Sequence, residues 1–261
     1  MYRASRTTLL AAMLLCFGSF AAQSAQKNDI DSLIAASDYY STKTFENEKS
    51  LDVLMKAYAA DSNNYEILWR ISRAYADIGE LLPTMTQEEK TKQLETYQKS
   101  LDFAELAVKA NPNATMGYTR RAIANGRVAL FKGVWDSIDL VKQVRADCEK
   151  AIELDKNNPT AYYVLGRTNA KLCEKPKIIR WPLGLSWANY EDALANYEKA
   201  IALKPTFIMY RLDAARAYTE VDEYDKAKEQ LTKIATLPTE NQSDNQFRRE
   251  AKDLLEQIKD K

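Results

Sequence analysis

Apolar residues recur along most of this chain at the spacing of three and four positions that is typical of amphipathic α-helices. Three stretches share one layout: residues 100–112, 144–155 and 189–205. Each is an amphipathic helix that ends in an Ala, a short apolar run and a turn rich in Pro or Asn, and a second helix follows at once. The pattern predicts an all-α protein built from helical hairpins.

The helices that follow such turns each carry one small residue at an equivalent position. These helices are predicted at Tyr65–Ile78, Thr115–Leu130, Thr160–Cys173 and Phe207–Val221, and their small residues are Ser72, Ala122, Gly166 and Ala215. A small residue at a helix crossing lets two helices approach closely. The small positions lie 50, 44 and 49 residues apart. The layout resembles the tetratricopeptide repeat of roughly 34 residues, with insertions of about 16, 10 and 15 residues between the two helices of each unit.

Residues 26–261 are therefore predicted to form one tetratricopeptide-type solenoid, a right-handed superhelix of helical hairpins. A capping box at Thr86 marks the start of one helix, Gly133 the end of another, and Pro176 with Pro182 interrupts the third insertion. The predicted parts are a degenerate first pair at 29–60, repeats at about 65–112, 115–156, 159–205 and 208–238, and a capping helix at 243–259.

Residues 1–25 have the pattern of an export signal. Arg3 and Arg6 precede an apolar run at 8–22, and small residues up to Ala25 offer a cleavage site. The run is shorter than the roughly 20 residues of a membrane span, so a cleaved secretory signal is favoured over an uncleaved membrane anchor. Cys16 follows two Leu, which makes a poor lipoprotein site. We expect a periplasmic or secreted protein.

Charge and residue types exclude several functions. Without Arg3 and Arg6, 35 of the 37 basic residues remain beside 37 acidic ones, so no net positive charge draws the chain to nucleic acid. The chain has no His, and it has no phosphate-binding glycine loop or nucleophile motif. We expect a protein that is not an enzyme and has no cofactor or metal. Cys148 and Cys173 either pair in an oxidising compartment or stay free and buried, which is favoured.

Specific segments resemble the bacterial branch of the regulator of microtubule dynamics family. They are NYEILWRISRAY at 64–75, GRVALF at 126–131, NPTAYYVLGR at 158–167, and residues 237–238 with 248–255. The chain departs from the family where relatives often have His, since it has Tyr118 and Tyr162, and it has Thr168 where they often have Trp. The resemblance implies a non-enzymatic repeat domain. Animal members are linked to microtubules and to membrane contact sites, and one binds phospholipid in its groove.

The first helix of each unit in such repeats lines the concave side. Residues three before, one after and four after the small position share a face, and Arg follows the small position in three of four units. An Arg column beside apolar residues suits an anionic, partly apolar ligand. Alternatively, each Arg pairs with an acid such as Asp77, Asp213 or Glu220 and holds neighbouring units together. The candidate groove residues are Trp69, Arg73, Arg127, Tyr163, Arg167, Leu212 and Arg216.

The insertion at 175–188 is unusually rich in large apolar residues and includes KIIRWPLGLSW at 177–187. Trp181 and Trp187 make it a candidate lid over the groove, or a loop that touches a membrane or a partner. Alternatively, it folds back and buries its Trp side chains, which is favoured because two exposed Trp would promote aggregation.

These observations predict an exported, non-catalytic binding or scaffold protein whose concave groove holds a protein or peptide partner or a small anionic ligand. A phospholipid-binding or lipid-shuttling module is the alternative, and a structural subunit of an envelope assembly is a third. Anionic lipid and peripheral membrane contact are secondary expectations for partners.

Overall fold

The structure is a computed structural model that describes residues 27–261, apart from the side chain of Val134. This range is helical and contains no strand, as the pattern predicts. The predicted export signal at 1–25 lies outside the described residues. The α-helices are α1 (27–39), α2 (Asn47–Ala60), α3 (Tyr65–Leu81), α4 (Gln87–Ala110), α5 (Thr115–Lys132), α6 (Ile138–Leu154), α7 (Pro159–Cys173), α8 (Lys177–Arg180), α9 (Tyr190–Leu203), α10 (Ile208–Glu220), α11 (Tyr224–Ile234) and α12 (Asp244–Gln257).

The helices pack as antiparallel hairpins stacked side by side. The pairs are α3 with α4, α5 with α6, α7 with α9, and α10 with α11, and α12 covers the last pair. All four small positions are buried at helix crossings. A Cβ atom on Gly166 would lie 3.0 Å from the carbonyl oxygen of Ala193, so α7 and α9 approach more closely than a larger residue allows. The tetratricopeptide-like solenoid is confirmed.

Most helix ends lie at capping or helix-breaking residues that can be read from the sequence. Thr86 and Glu89 form the predicted capping box at the start of α4, and α5 ends before Gly133, whose φ is +97°. The following helix begins at Ile138, because a 3₁₀ turn occupies Val134–Asp136. The insertion between α7 and α9 is broken into α8 and a 3₁₀ turn at Trp181–Leu183.

The two ends of the described chain meet. The Asn47 side chain donates a hydrogen bond of 2.6 Å to Oε1 of Gln242, and Nε2 of Gln242 donates to the backbone carbonyl of Asp77 at 3.1 Å. Asp244 stabilises this segment because its carboxylate accepts hydrogen bonds from the backbone N–H groups of Glu240 and Asn241. The segment before α12 therefore joins α2 and α3, although more than 160 positions separate it from them.

Candidate functional site

A cavity of about 310 Å³ lies between the first helices of the hairpins, α3, α5, α7 and α10. Ser41 and Thr42 border it from the π-helical turn at Tyr40–Thr44 that follows α1, and Glu240 and Asn241 border it from the segment before α12. Its apolar wall comes from five helices and the turn before α10, and includes Ile123, Leu130, Val141, Val144, Val164, Leu172, Phe207 and Met209. The cavity is therefore a groove with apolar walls that the two ends of the chain help to enclose.

Charge in this cavity is unbalanced. Six cationic side chains line it and three carboxylates oppose them, which leaves a positive excess. The cations are Arg73, Arg120, Arg127, Arg167, Lys171 and Lys204, and the carboxylates are Asp77, Glu80 and Glu240.

Most of these cations already have a partner. Arg127 donates to Glu80 at 2.8 Å, and Lys204 lies 3.1 Å from Glu240. Arg73 donates to the Asp38 carboxylate at 2.8 Å, and Arg70 contacts the same carboxylate. Burial raises the pKa of Asp38, but these hydrogen bonds outweigh it and hold the pKa below its ordinary value. Asp38 therefore stays ionised and fastens α1 to α3.

A second network connects α7 to α10. The Tyr163 hydroxyl donates to Asp213 at 2.7 Å and accepts a hydrogen bond of 2.9 Å from Arg167. Arg216 donates to Asp213 at 2.6 Å and to Glu250 of α12 at 2.5 Å. Burial raises the pKa of the Tyr163 phenol well above its ordinary value, so it remains a donor. These contacts join neighbouring hairpins.

Arg120 is the exception among the arginines of the cavity. It makes no hydrogen bond or ion pair with any residue in 27–261, and its Nε is shielded from solvent. It lies 5.7 Å from the ring centre of Trp69, in the range of a cation–π contact. Burial, followed by the charge of Arg73, lowers the pKa of Arg120 to about 10, so the guanidinium is still charged at neutral pH.

Asp77 is the corresponding carboxylate. Its side chain has no hydrogen bond or ion pair within the described range, and burial raises its pKa above the ordinary value, although Arg120 and Arg73 act in the opposite direction. The side chain is half-buried and lines the cavity. Arg120 and Asp77 together give the cavity one strong donor group and one strong acceptor group that the surrounding protein leaves unsatisfied.

The structure brings four of the seven sequence candidates to this cavity: Arg73, Arg127, Tyr163 and Arg167. The other three lie outside its lining. The Trp69 ring packs under the guanidinium groups of Arg70 and Arg73, Leu212 is buried in the core, and Arg216 faces α12. Arg120 was not among the residues predicted from the sequence; it precedes the small residue of its unit, Ala122, by two positions. The presence of charged residues at that position in three of four units, Arg70, Arg120 and Asp213, was the available signal.

In the insertion at 175–188, one of the two Trp side chains is not buried as expected. Trp181 is 69% exposed, so the expected burial of its ring is wrong, whereas Trp187 is half-buried beneath the guanidinium of Arg145, 4.4 Å from its ring centre. The reason is Arg180, which takes the buried position and donates to three backbone carbonyls of the loop. Neither Trp lines the cavity.

Other chemistry is sparse in the part of the chain that the structure describes. Cys148 is buried, Cys173 is half-buried, and both are free thiols. Burial raises the pKa of both thiols, and therefore disfavours the reactive thiolate. Residues 27–261 contain no cluster of three or more metal-ligating side chains. None of the helices in this range has the length and apolar character required to cross a membrane.

A solved structure supports the architecture. A thermophilic tetratricopeptide-repeat protein of Thermus thermophilus superposes with a TM-score of 0.63, covering 88% of this chain and 99% of the other, at 17% identity. Identity at that level shows a shared fold alone.

Sequence comparison identifies relatives. Regulator of microtubule dynamics protein 1 of Mus musculus is 27% identical over 232 residues, which cover 87% of this chain and 74% of the relative. Regulator of microtubule dynamics protein 3 of Bos taurus is also 27% identical, over 79% of this chain and 44% of its own length. Residues 33–259 match the family model described as Regulator of microtubule dynamics protein 1-3, and this chain therefore belongs to that family.

Proposed function

We propose that this chain is a non-catalytic binding module whose groove holds a peptide segment of a protein partner by an acidic group placed at Arg120. The observation that carries the proposal is the half-buried guanidinium of Arg120, whose Nε is shielded from solvent and which has no hydrogen bond or ion pair within residues 27–261. A group of this kind is costly to bury unless a ligand supplies the missing acceptor. A carboxylate fits the planar donor geometry of a guanidinium well.

The second unsatisfied group favours a peptide over a simple anion. The Asp77 carboxylate lines the cavity and can accept a hydrogen bond, and a peptide supplies backbone N–H groups beside its carbonyl and carboxylate oxygens. The apolar wall at Ile123, Val164 and Met209 would contact apolar side chains on either side of the acidic group. The cavity volume of about 310 Å³ lies at the lower end of the range for ligand pockets, which suits a few side chains.

A phospholipid is the second candidate. The apolar wall favours it, because acyl chains would cover this surface while Arg120 binds the phosphate. The volume argues against a fully enclosed diacyl lipid, since two acyl chains need a considerably larger cavity. A lipid in this groove would therefore leave much of its chains outside.

The test uses a synthetic random octapeptide library, one half with a free terminal carboxylate and one half amidated. Peptides retained by the purified chain should be rich in acidic groups. Arg120→Gln should weaken the best of them by about ten- to a hundredfold, because a charge-assisted hydrogen bond contributes roughly 1.5–3 kcal/mol. Arg145→Gln is the matched control, because Arg145 lies outside the lining and its ion pair with Glu149 is at the surface.

Equal affinity of the Arg120→Gln variant and the wild type would overturn the proposed role of Arg120. Native mass spectrometry of protein purified from its own cells separates the two candidates. A bound phospholipid that Arg120→Gln loses, without enrichment of acidic peptides, would favour the lipid. Export of the chain also remains a proposal, supported by the sequence pattern of residues 1–25.

A further inference from the structure

Three large apolar side chains lie together on the surface of the insertion between α7 and α9. Ile178 is 76% exposed, Ile179 is 51% exposed and Trp181 is 69% exposed. Other exposed apolar side chains of the described residues, such as Met55 and Leu106, stand singly along the chain. We call residues 177–183 the α8 knob. Exposure of three adjacent large apolar residues is unfavourable in water and indicates a contact surface.

The base of the α8 knob is fixed in place. Arg180 is only 5% exposed, and its Nε donates to the carbonyl of Lys175 at 2.9 Å. Its Nη1 donates to the carbonyls of Leu185 and Ala188 at 3.0 and 2.8 Å. Gly184, with φ of +71°, closes the turn and donates its N–H to the carbonyl of Trp181. The apolar tip is therefore held outward by a buried cation instead of being loosely packed.

The surroundings of the tip are basic. Lys175 and Lys177 are exposed beside it, and Lys142 of α6 lies under the turn, its Nζ within 3.7 Å of where a Cβ on Gly184 would be. None of these three lysines forms an ion pair with a carboxylate in the described range. The nearest acid along the chain, Glu174, is paired with Lys171 at 2.8 Å. The tip is thus apolar, and the three lysines beside it form no ion pair in the described range.

We propose that the α8 knob binds a membrane surface that contains anionic lipids, with Ile178 and Trp181 inserted at headgroup depth and the lysines against phosphates. Trp is favoured at the membrane–water interface, and Lys extends its ammonium group to it. Each basic residue adds attraction to an anionic leaflet. A protein partner fits less well, since a stable interface needs roughly 800 Å² on each side and the knob is a short protrusion without a groove. A bilayer imposes no such shape requirement.

The test measures co-sedimentation of the full chain with vesicles of phosphatidylcholine and phosphatidylglycerol in equal amounts, and with phosphatidylcholine alone. Wild type should prefer the anionic vesicles. Trp181→Ser should weaken binding by on the order of tenfold through lost apolar burial. Lys175→Gln with Lys177→Gln should weaken it by about fivefold per lysine, and only on anionic vesicles. Wild type and all variants contain residues 1–26, so any difference in vesicle binding between them is caused by the α8 knob.

Matched controls come from the α3–α4 region. Met85 is 89% exposed and Lys90 and Lys92 are exposed there, so Met85→Ser and Lys90→Gln with Lys92→Gln should bind vesicles like wild type. Tryptophan fluorescence should shift to the blue with anionic vesicles, and Trp181→Phe should lose most of that shift. Equal binding of wild type and Trp181→Ser, or losses as large in the controls, would overturn the proposal. Binding of a protein by the knob without any vesicle binding would also overturn it.

Discussion

Asn47 and Gln242 are 195 positions apart in sequence, and their side-chain amides are joined by a hydrogen bond of 2.6 Å. Gln242 also donates to the carbonyl of Asp77, the residue whose carboxylate faces the cavity. Glu240 and Asn241, which directly precede Gln242, border the same cavity opposite Ser41 and Thr42. The side-chain amide of Gln242 thus connects the segment before α12 to α2 and α3 at the edge of the groove.

Gln242→Ala is expected to weaken this connection. The change removes two hydrogen bonds and leaves the buried Asn47 amide without its acceptor, which should lower the free energy of unfolding by about 1–3 kcal/mol. Hydrogen exchange should become faster at residues 40–44 and 239–243. Gln246→Ala is the control, because Gln246 is exposed and, among the described residues, its side chain bonds only to Glu250 on its own helix. Unchanged exchange in both segments would show that apolar packing, not Gln242, holds the ends together.

Arg120 and Arg121 should respond to substitution in opposite directions. Arg120→Met replaces a half-buried cation that has no hydrogen bond or ion pair within residues 27–261 by an apolar side chain, and should stabilise the fold by about 1–3 kcal/mol. Arg121→Met leaves the Asp147 carboxylate, which is almost fully buried, without its cation, and should destabilise it by roughly 3 kcal/mol. Urea denaturation measures both. A destabilising Arg120→Met would mean that its contact with Trp69 outweighs its burial.

Asp77→Asn should change how stability depends on pH. The folded-state pKa of Asp77 is raised above the ordinary 3.8, so the folded protein binds more protons than the unfolded chain between these two values. Stability contributed by this group is present below the unfolded pKa and is lost as pH rises through the folded pKa. The variant should therefore be more stable than wild type at neutral pH, by about 1–3 kcal/mol.

Below pH 4 the advantage of Asp77→Asn should shrink. The charges around Asp77 are those of Arg73, Glu80, Arg120 and Arg127. A difference in melting temperature that stays constant from acid to neutral pH would show that Asp77 does not titrate as a buried carboxyl.

Gly166 and Gly126 offer a test of the helix crossings. A Cβ on Gly166 would lie within 3.0 Å of a backbone oxygen and 3.1 Å of the Tyr197 ring, whereas one on Gly126 would meet nothing closer than 4.0 Å. Gly166→Leu should therefore cost on the order of 1–3 kcal/mol. Gly126→Ala should be neutral or stabilise the helix by up to about 1 kcal/mol. Equal melting temperatures for wild type and Gly166→Leu would contradict the close approach of α7 and α9.

The export proposal predicts a mature protein that begins at Gln26. Arg3, Arg6 and the apolar run at 8–22 form the signal, and cleavage would follow Ala25. Intact-mass measurement of the protein isolated from its own cells should give the mass of residues 26–261. A mass that includes residues 1–20 would favour the uncleaved anchor instead.

The amino-acid sequence by itself determined the helical hairpins of this protein. The apolar period, the small residues at 72, 122, 166 and 215, and the capping box at Thr86 act within one helix or between neighbouring helices, so their effect is readable from local spacing. Helical spacing also places Arg73, Arg127 and Arg167 on one face of their helices, and these three residues line the cavity.

Only the tertiary structure decided which charges are paired. Asp38 reaches Arg73 across 35 positions and Asp213 joins Tyr163 across 50, which leaves Arg120 as the cavity arginine without a hydrogen bond or ion pair in the described range. Arg180 occupies the buried place that the pattern assigned to a Trp, and so leaves Trp181 exposed. The physical reason is that helical period sets the face of a residue, whereas charge pairing and burial depend on distances between helices that are remote in sequence.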